Sequence, residues 1–190
     1  MIKAVIFDCF GVLTEDGWLA FLNKYATKET VEELRYLNHQ VDRGQMQYDA
    51  FLESITRLTG AQKDTAHAMI TTTHHPNEAL FSYIKKLKDS GYILGIISNA
   101  GNELTNYLPN QCVDLFDHIT LSYQAGVTKP DPEIYELHLN DLGLSAEQTV
   151  FIDDRELNCE GARAVGMNAI LYKTYDGTIA ALKGQGITQN

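Results

Sequence analysis

The chain has 190 residues, of which 44% are hydrophobic, enough for one domain or one domain carrying a modest insertion around a substantial core. Fifteen basic against 25 acidic side chains leave a net charge of -10, which opposes close approach to nucleic acid or to an anionic membrane. Three cysteines, Cys9, Cys112 and Cys159, have no metal-ligand spacing and fit a reducing cytoplasm. Lys3 and the apolar run after it imitate a leader, but Asp8 interrupts that run, and no stretch reaches the length of a membrane span.

The first element is a strand. Ala4, Val5, Ile6 and Phe7 are too few for a helix and suit a strand buried on both faces, which stops abruptly at Asp8. In open parallel sheets ligands gather at the carboxyl ends of strands, so Asp8 is a candidate for chemistry. Cys9 faces the other way from its neighbours and reads as buried filler. From Trp18 to Leu58 apolar residues recur every three or four positions, and a weaker helix surrounds Ala66 to Ile70. These residues form an all-helical insert whose return linker contains Thr71 to Pro76, with His74 and His75 read as hinge rather than metal pair. Asn77 then caps a helix that ends at Gly91, and Tyr92 to Ile97 is a buried strand ending at Ser98 and Asn99.

A helix is expected near Glu103 to Leu108, a short apolar segment at Ile119 to Leu121, and a loop from Ser122 to Pro130 that carries Lys129. Asp131 caps the next helix, with Pro132 in its first turn, where a missing N–H costs nothing. The strand Val150 to Ile152 ends at Asp153 and Asp154; a helix from Glu156 to Val165 and a strand from Ala169 to Tyr172 follow, and Gly184 to Asn190 is expected to fray. Strands alternating with helices imply parallel pairing, which gathers Asp8, Ser98, Asn99, Asp153 and Asp154 on one sheet edge, with Lys129 in a loop directly before a helix.

Three converging carboxylates facing one lysine leave about two negative charges uncompensated, with repulsion of roughly 1 to 4 kcal/mol per pair at 4 Å. An oxygen-only set of this kind suits Mg²⁺ shared with a phosphate. The Ser98 hydroxyl, the Asn99 backbone N–H and the Lys129 ammonium would hold that phosphate, leaving Asp8 to attack phosphorus and form an aspartyl-phosphate.

Four segments, IFDCFGVLT, IISNA, TKPDPEIY and VFIDDRELNCEGA, resemble the four motifs of the haloacid dehalogenase superfamily in order and spacing. The resemblance implies a Rossmann-like parallel sheet core, residues 1–14 and 77–190, with an inserted helical cap of the first type, residues 15–76. It also implies Asp8 as nucleophile, Lys129 as its partner in catalysis, and Mg²⁺ bound by Asp8, Asp154 and the carbonyl of Phe10, with Asp153 acting through water. The substrate expected is a small phosphorylated metabolite, including a sugar phosphate, with no nucleic-acid or membrane partner; a cytoplasmic location and, narrowly, a monomer are favoured. Arg43, beside Gly44, resembles a cap RG pair and is a candidate contact to an anionic substrate.

One position departs from the family pattern. Its phosphatases carry a second Asp two residues after the nucleophile as general acid and base, a role worth about 10² to 10⁴ in rate. Here that position is Phe10. Three readings follow, in this order: a phosphatase for good leaving groups or one that borrows an acid from cap or substrate, a non-catalytic binding or regulatory protein, and a 2-haloacid dehalogenase. Those dehalogenases share an aromatic residue at this position, but their fourth motif carries a single Asp rather than the Asp153–Asp154 pair.

Overall fold

The computed structural model describes residues 1–71 and 75–188. The elements in chain order are β1 (Ala4–Phe7), α1 (Gly17–Tyr25), α2 (Val31–Asp42), α3 (Tyr48–Thr59), α4 (Lys63–Thr71) and α5 (Glu78–Asp89). β2 (Ile93–Ser98), α6 (Asn110–Val113), β3 (His118–Leu121), α7 (Ser122–Ala125) and α8 (Pro132–Leu142) come next, then β4 (Thr149–Asp153), α9 (Glu156–Ala164), β5 (Asn168–Leu171) and α10 (Tyr175–Gly184). All five strands are parallel, in the order β3-β2-β1-β4-β5, so the strand that carries Asp8 is central.

Strand alternation divides the core in two. Val5, Phe7, Leu94, Ile96, Val150 and Ile152 face one side, where Leu80, Ile84 and Leu87 of α5 and Leu182 of α10 cover them. Ile6, Ile97 and Phe151 face the other side, against Ile134, Tyr135 and Leu139 of α8 and Ala162 of α9. Apolar residues of the four inserted helices, among them Phe21, Leu34, Phe51 and Ile55, belong to the first cluster, so helices α1–α4 and the sheet share one continuous core.

The insert leaves and rejoins the sheet through two adjacent segments. Thr14 forms an antiparallel bridge with Pro76, Thr14 Oγ1 donates to the carbonyl of His75 at 3.2 Å, and Asn77 N donates to the carbonyl of Leu13 at 2.8 Å. Asn77 also caps α5, its Oδ1 accepting from Leu80 N, while its Nδ2 donates to the Val12 carbonyl and to Tyr172 Oη. His74 lies outside the described residues.

Several expected elements differ. Between Glu103 and Leu108 there is only a 3₁₀ turn, Leu104–Asn106, followed by the four-residue α6, because Pro109 ends the turn with an extended backbone. The expected loop at Ser122 opens instead with the short helix α7, stopped by Gly126 at φ 74°. Nor is the C-terminal stretch frayed as far as it is described: α10 runs to Gly184, Ile187 is fully buried, and Thr188 N donates to Tyr92 Oη at 3.4 Å. α10 has only Thr178 and Leu182 buried on its inner side, too weak a periodic signal to announce a helix. Among the described residues no helix is long and apolar enough to cross a membrane.

Candidate active site

Strand register assembles the site. One residue beyond the Phe7–Ile152 and Phe7–Ile96 pairs, Asp8 stands level with Asp153 on one neighbouring strand and Ile97 on the other, with Ser98 one step further along β2. Asp8 N donates to the Ile152 carbonyl at 2.8 Å, which continues the ladder into the site. The chain then folds back through a tight loop in which Leu13 N and Thr14 N both donate to the Cys9 carbonyl and Gly11 N donates to that of Thr14. Gly11 is required here twice over. Its φ is +83°, and a Cβ on it would lie 2.5 Å from Asp154 Oδ2.

Lys129 is the hub of the charges. Its side chain is 1% exposed and its Nζ lies 2.7 Å from Asp8 Oδ1 and 2.8 Å from Asp153 Oδ2. Asn99 fixes its backbone from both directions: Lys129 N donates to Asn99 Oδ1 at 2.8 Å, and Asn99 Nδ2 donates to the Lys129 carbonyl at 3.0 Å. The Asn99 side chain is thus a clamp on Lys129. Asp153 is fully buried and richly bonded, accepting from Arg155 N at 2.9 Å and from Asn158 Nδ2 at 3.0 and 3.1 Å. Asn158 is itself buried on α9, and the Tyr135 hydroxyl donates to its carbonyl at 2.8 Å.

One oxygen from each of Asp8, Asp153 and Asp154 lies within 4.8 Å of the others. Burial pushes Asp8 well above the usual carboxylate range; Lys129 opposes the shift, while Asp153 and Asp154 add to it. Asp154, exposed at the rim, is also raised, by burial of part of its carboxyl and by Asp153. Burial alone would depress the Lys129 ammonium, but Asp153 and Asp8 outweigh it and raise its pKa. Carboxylates held together at a cost in ionisation are what an oxygen-liganded divalent cation relieves. The residues therefore fit Mg²⁺. Ser98 Oγ is fully buried and, among the described residues, has no hydrogen-bond partner. Cys9 is buried, with its thiol pushed up by burial and by Asp8, and is inert filler.

A cleft of about 130 Å³ opens above this edge, lined by Asp8, Lys129, Asp154 and Asn99 below and by Trp18, Asn38, Asp42 and Ile70 of the insert above. Phe10 lies in its wall, edge-on to Tyr107 with ring centroids 4.9 Å apart. Trp18 combines two roles: it stacks on Phe21 and packs against Phe51, and it also walls the cleft. Arg43 sits further out, in a cleft it shares with Lys129 and Asp154, and its Nη2 is 2.5 Å from Asp131 Oδ2 at the start of α8. Gly44, at φ +67°, packs so closely beside the Tyr123 backbone that a Cβ there would collide with the Tyr123 carbonyl oxygen. Asn38, Asp42 and Tyr107 escaped sequence reasoning; the only signal was the i, i+4 spacing of Asn38 and Asp42 on one face of α2.

A five-stranded parallel sheet with helices packed on both faces and a buried Asp–Lys–Asp cluster at its carboxyl edge is the architecture of the haloacid dehalogenase-like α/β hydrolases. The chain belongs to the haloacid dehalogenase-like hydrolases, whose family pattern matches residues 2–166. It is 30% identical over 175 residues to the sesquiterpene phosphatase astK of Aspergillus oryzae, spanning 87% of each chain. To the D-ribitol-5-phosphate phosphatase of Bacteroides thetaiotaomicron it is 24% identical, over 87% of this chain and 89% of that one. A HAD family enzyme of Bacteroides thetaiotaomicron, solved as a magnesium complex, superposes with a TM-score of 0.75 at 25% identity, covering 92% of this chain and 94% of the other. The chain is accordingly a hydrolase, and its named relatives point to the phosphatases of the family.

Proposed function

We propose that this hydrolase is a Mg²⁺-dependent phosphomonoesterase or acyl-phosphatase, acting on a small phosphorylated metabolite through an aspartyl-phosphate. The observation that carries the reading is the placement of Asp8 Oδ1 2.7 Å from Lys129 Nζ, with Asp153 and Asp154 beside it. We assign residues 15–76 as a cap that covers the substrate and residues 1–14 and 77–190 as the catalytic core.

Asp8, Asp154 and the carbonyl of Phe10 would hold Mg²⁺, with Asp153 behind them. The ion supplies charge neutralisation for the carboxylates and the phosphoryl oxygens. Lys129 and the Ser98 hydroxyl, which has no partner among the described residues, donate to phosphoryl oxygens together with the Asn99 backbone N–H. Asp8 attacks phosphorus in line with the leaving oxygen, and water later attacks the aspartyl-phosphate to release inorganic phosphate and restore Asp8. Asn99 and Asn158 hold Lys129 and Asp153 in place, so neither charge reorganises as the reaction proceeds. Arg43 is the insert's contribution to anion binding: opening of its pair with Asp131 releases the guanidinium toward the substrate.

The test is hydrolysis of para-nitrophenyl phosphate and acetyl phosphate, with Mg²⁺ and with excess chelator, using Asp8→Asn as the blank. Mg²⁺-dependent turnover that vanishes in Asp8→Asn is expected. Equal rates for the two proteins would remove Asp8 as nucleophile, and absence of turnover with Mg²⁺ still bound would leave the binding-protein reading that Phe10 suggests.

A further inference from the structure

A phosphatase with Phe10 at the usual acid position needs a proton from elsewhere when its leaving group is poor. Besides Asp8 and Asp154, the described lining of the cleft carries two carboxylates, Asp16 and Asp42. Asp16 already has a structural duty at the N-terminus of α1, where its Oδ1 accepts from Leu19 N at 2.9 Å as the N-cap. Asp42, the last residue of α2, is only half-buried and lines the same cleft as Asp8, Lys129 and Asp154. Among the described residues its one hydrogen bond is at Oδ2, which accepts from Asn38 Nδ2 at 2.7 Å, so Oδ1 has no protein partner there. Asn38 fixes the orientation of the carboxyl without occupying both of its oxygens.

The charged and titratable groups around Asp42 come from every side of the cleft. Asp16 stands ahead of α1, Tyr107 follows β2, and Lys129 and Arg155 precede α8 and α9; Asp8 and Asp154 line the same cleft. Burial, followed by the like charge of Asp16, pushes Asp42 up to about 7 against the opposing effects of Asn38, Arg155 and Lys129. A carboxyl of that strength is half protonated at neutral pH and is suited both to give and to take a proton.

We propose that Asp42 is the general acid and base of this hydrolase, filling from the helical insert the role that Phe10 cannot. The proposal rests on the phosphatase reading above. In the first half-reaction Asp8 forms its bond to phosphorus as the bond from phosphorus to the leaving oxygen breaks, and the Asp42 carboxyl gives its proton to that oxygen. In the second, the Asp42 carboxylate takes a proton from the attacking water, the bond between phosphorus and Asp8 breaks, and inorganic phosphate leaves with Asp42 protonated again.

The test compares kcat/KM for para-nitrophenyl phosphate, whose leaving group needs no proton, with that for phenyl phosphate, whose leaving group does. In Asp42→Asn the phenyl ester is expected to slow by about 10² or more while the nitrophenyl ester changes little. The para-nitrophenyl rate thus doubles as the check on folding. With phenyl phosphate the unaltered protein is expected to lose activity as pH rises through about 7; that limb is kept in Asp42→Glu and abolished in Asp42→Asn. Asp16→Asn, which keeps the cap but removes the like charge, is expected to move the limb to lower pH. Equal slowing of both esters, or slowing of neither, overturns the assignment of Asp42 while the phosphatase reading stands. No Asp8-dependent turnover of para-nitrophenyl phosphate takes down both.

Discussion

The role proposed for Asp8 depends on single atoms around it that are placed with little tolerance. Gly11 shows this best. Alanine there would meet Asp154 Oδ2 at 2.5 Å and hold a φ of +83°, so Gly11→Ala is expected to cost about 1 kcal/mol or more in stability and to turn Asp154 away from the proposed metal position. Titration of Mg²⁺ by calorimetry would show at least tenfold weaker binding, and unchanged affinity would remove Asp154 from the ligand set. Asp42 makes an opposite prediction about stability. Its folded pKa of about 7 lies above the ordinary 3.8, so the folded chain holds a proton that the unfolded chain has released. Stability from this group is complete below pH 4 and declines as pH climbs toward 7. Asp42→Asn is therefore expected to raise the melting temperature at pH 8, by a few degrees for about 1 kcal/mol, and to add nothing at pH 4. A rise of equal size at both values would mean that the carboxyl is not strained in the fold. The core side of the site was legible in the sequence because Asp8, Ser98, Asn99, Asp153 and Asp154 each end an apolar run, and parallel pairing alone brings such ends together. Asp42 was not legible, because the direction in which a helix aims one carboxyl depends on how that helix docks.

At the scale of elements, the strands were legible from buried runs, α5 from its cap Asn77, and α8 from Pro132 in its first turn, although Asp131 at its N-cap position makes no capping hydrogen bond. Elements with small buried faces escaped, α7 and α10 among them, since periodicity reports a helix only through what it buries. The element whose position most affects function is α2, which carries Asn38, Asp42 and, just past its end, Arg43. Arg43 ties this helix to the start of α8 through Asp131, a pair whose side chains are 27% and 40% exposed and whose worth to stability is at most about 1 kcal/mol. If the guanidinium also meets substrate, Arg43→Ala raises KM several-fold and Asp131→Asn, which frees it, does not. Matched changes in kcat and KM for the two variants would instead assign Arg43 to holding the helix alone.

For the whole molecule, one apolar cluster runs from Val5 and Phe7 on the sheet through Phe21, Leu34 and Phe51 to Leu87 and Leu182. Helices that share a core with the sheet melt with it, so a single calorimetric transition is expected, with its calorimetric and van't Hoff enthalpies equal. Mg²⁺ at 100 times its dissociation constant should add about 2.7 kcal/mol by mass action, and this increment should disappear in Asp8→Asn if the carboxylate cluster holds the ion. Two separated transitions would show that the shared cluster does not couple the two parts. The chain passes from the sheet to the inserted helices and back through neighbouring points, joined by the Thr14–Pro76 bridge and the Asn77 to Leu13 hydrogen bond. A segment with both ends at one place is interchangeable in principle: another set of helices of matching apolar footprint could be spliced between Thr14 and Pro76 without re-registering a strand. The same catalytic edge would then serve a different clientele of phosphate esters, with selectivity and the proton donor exchanged together as one cassette.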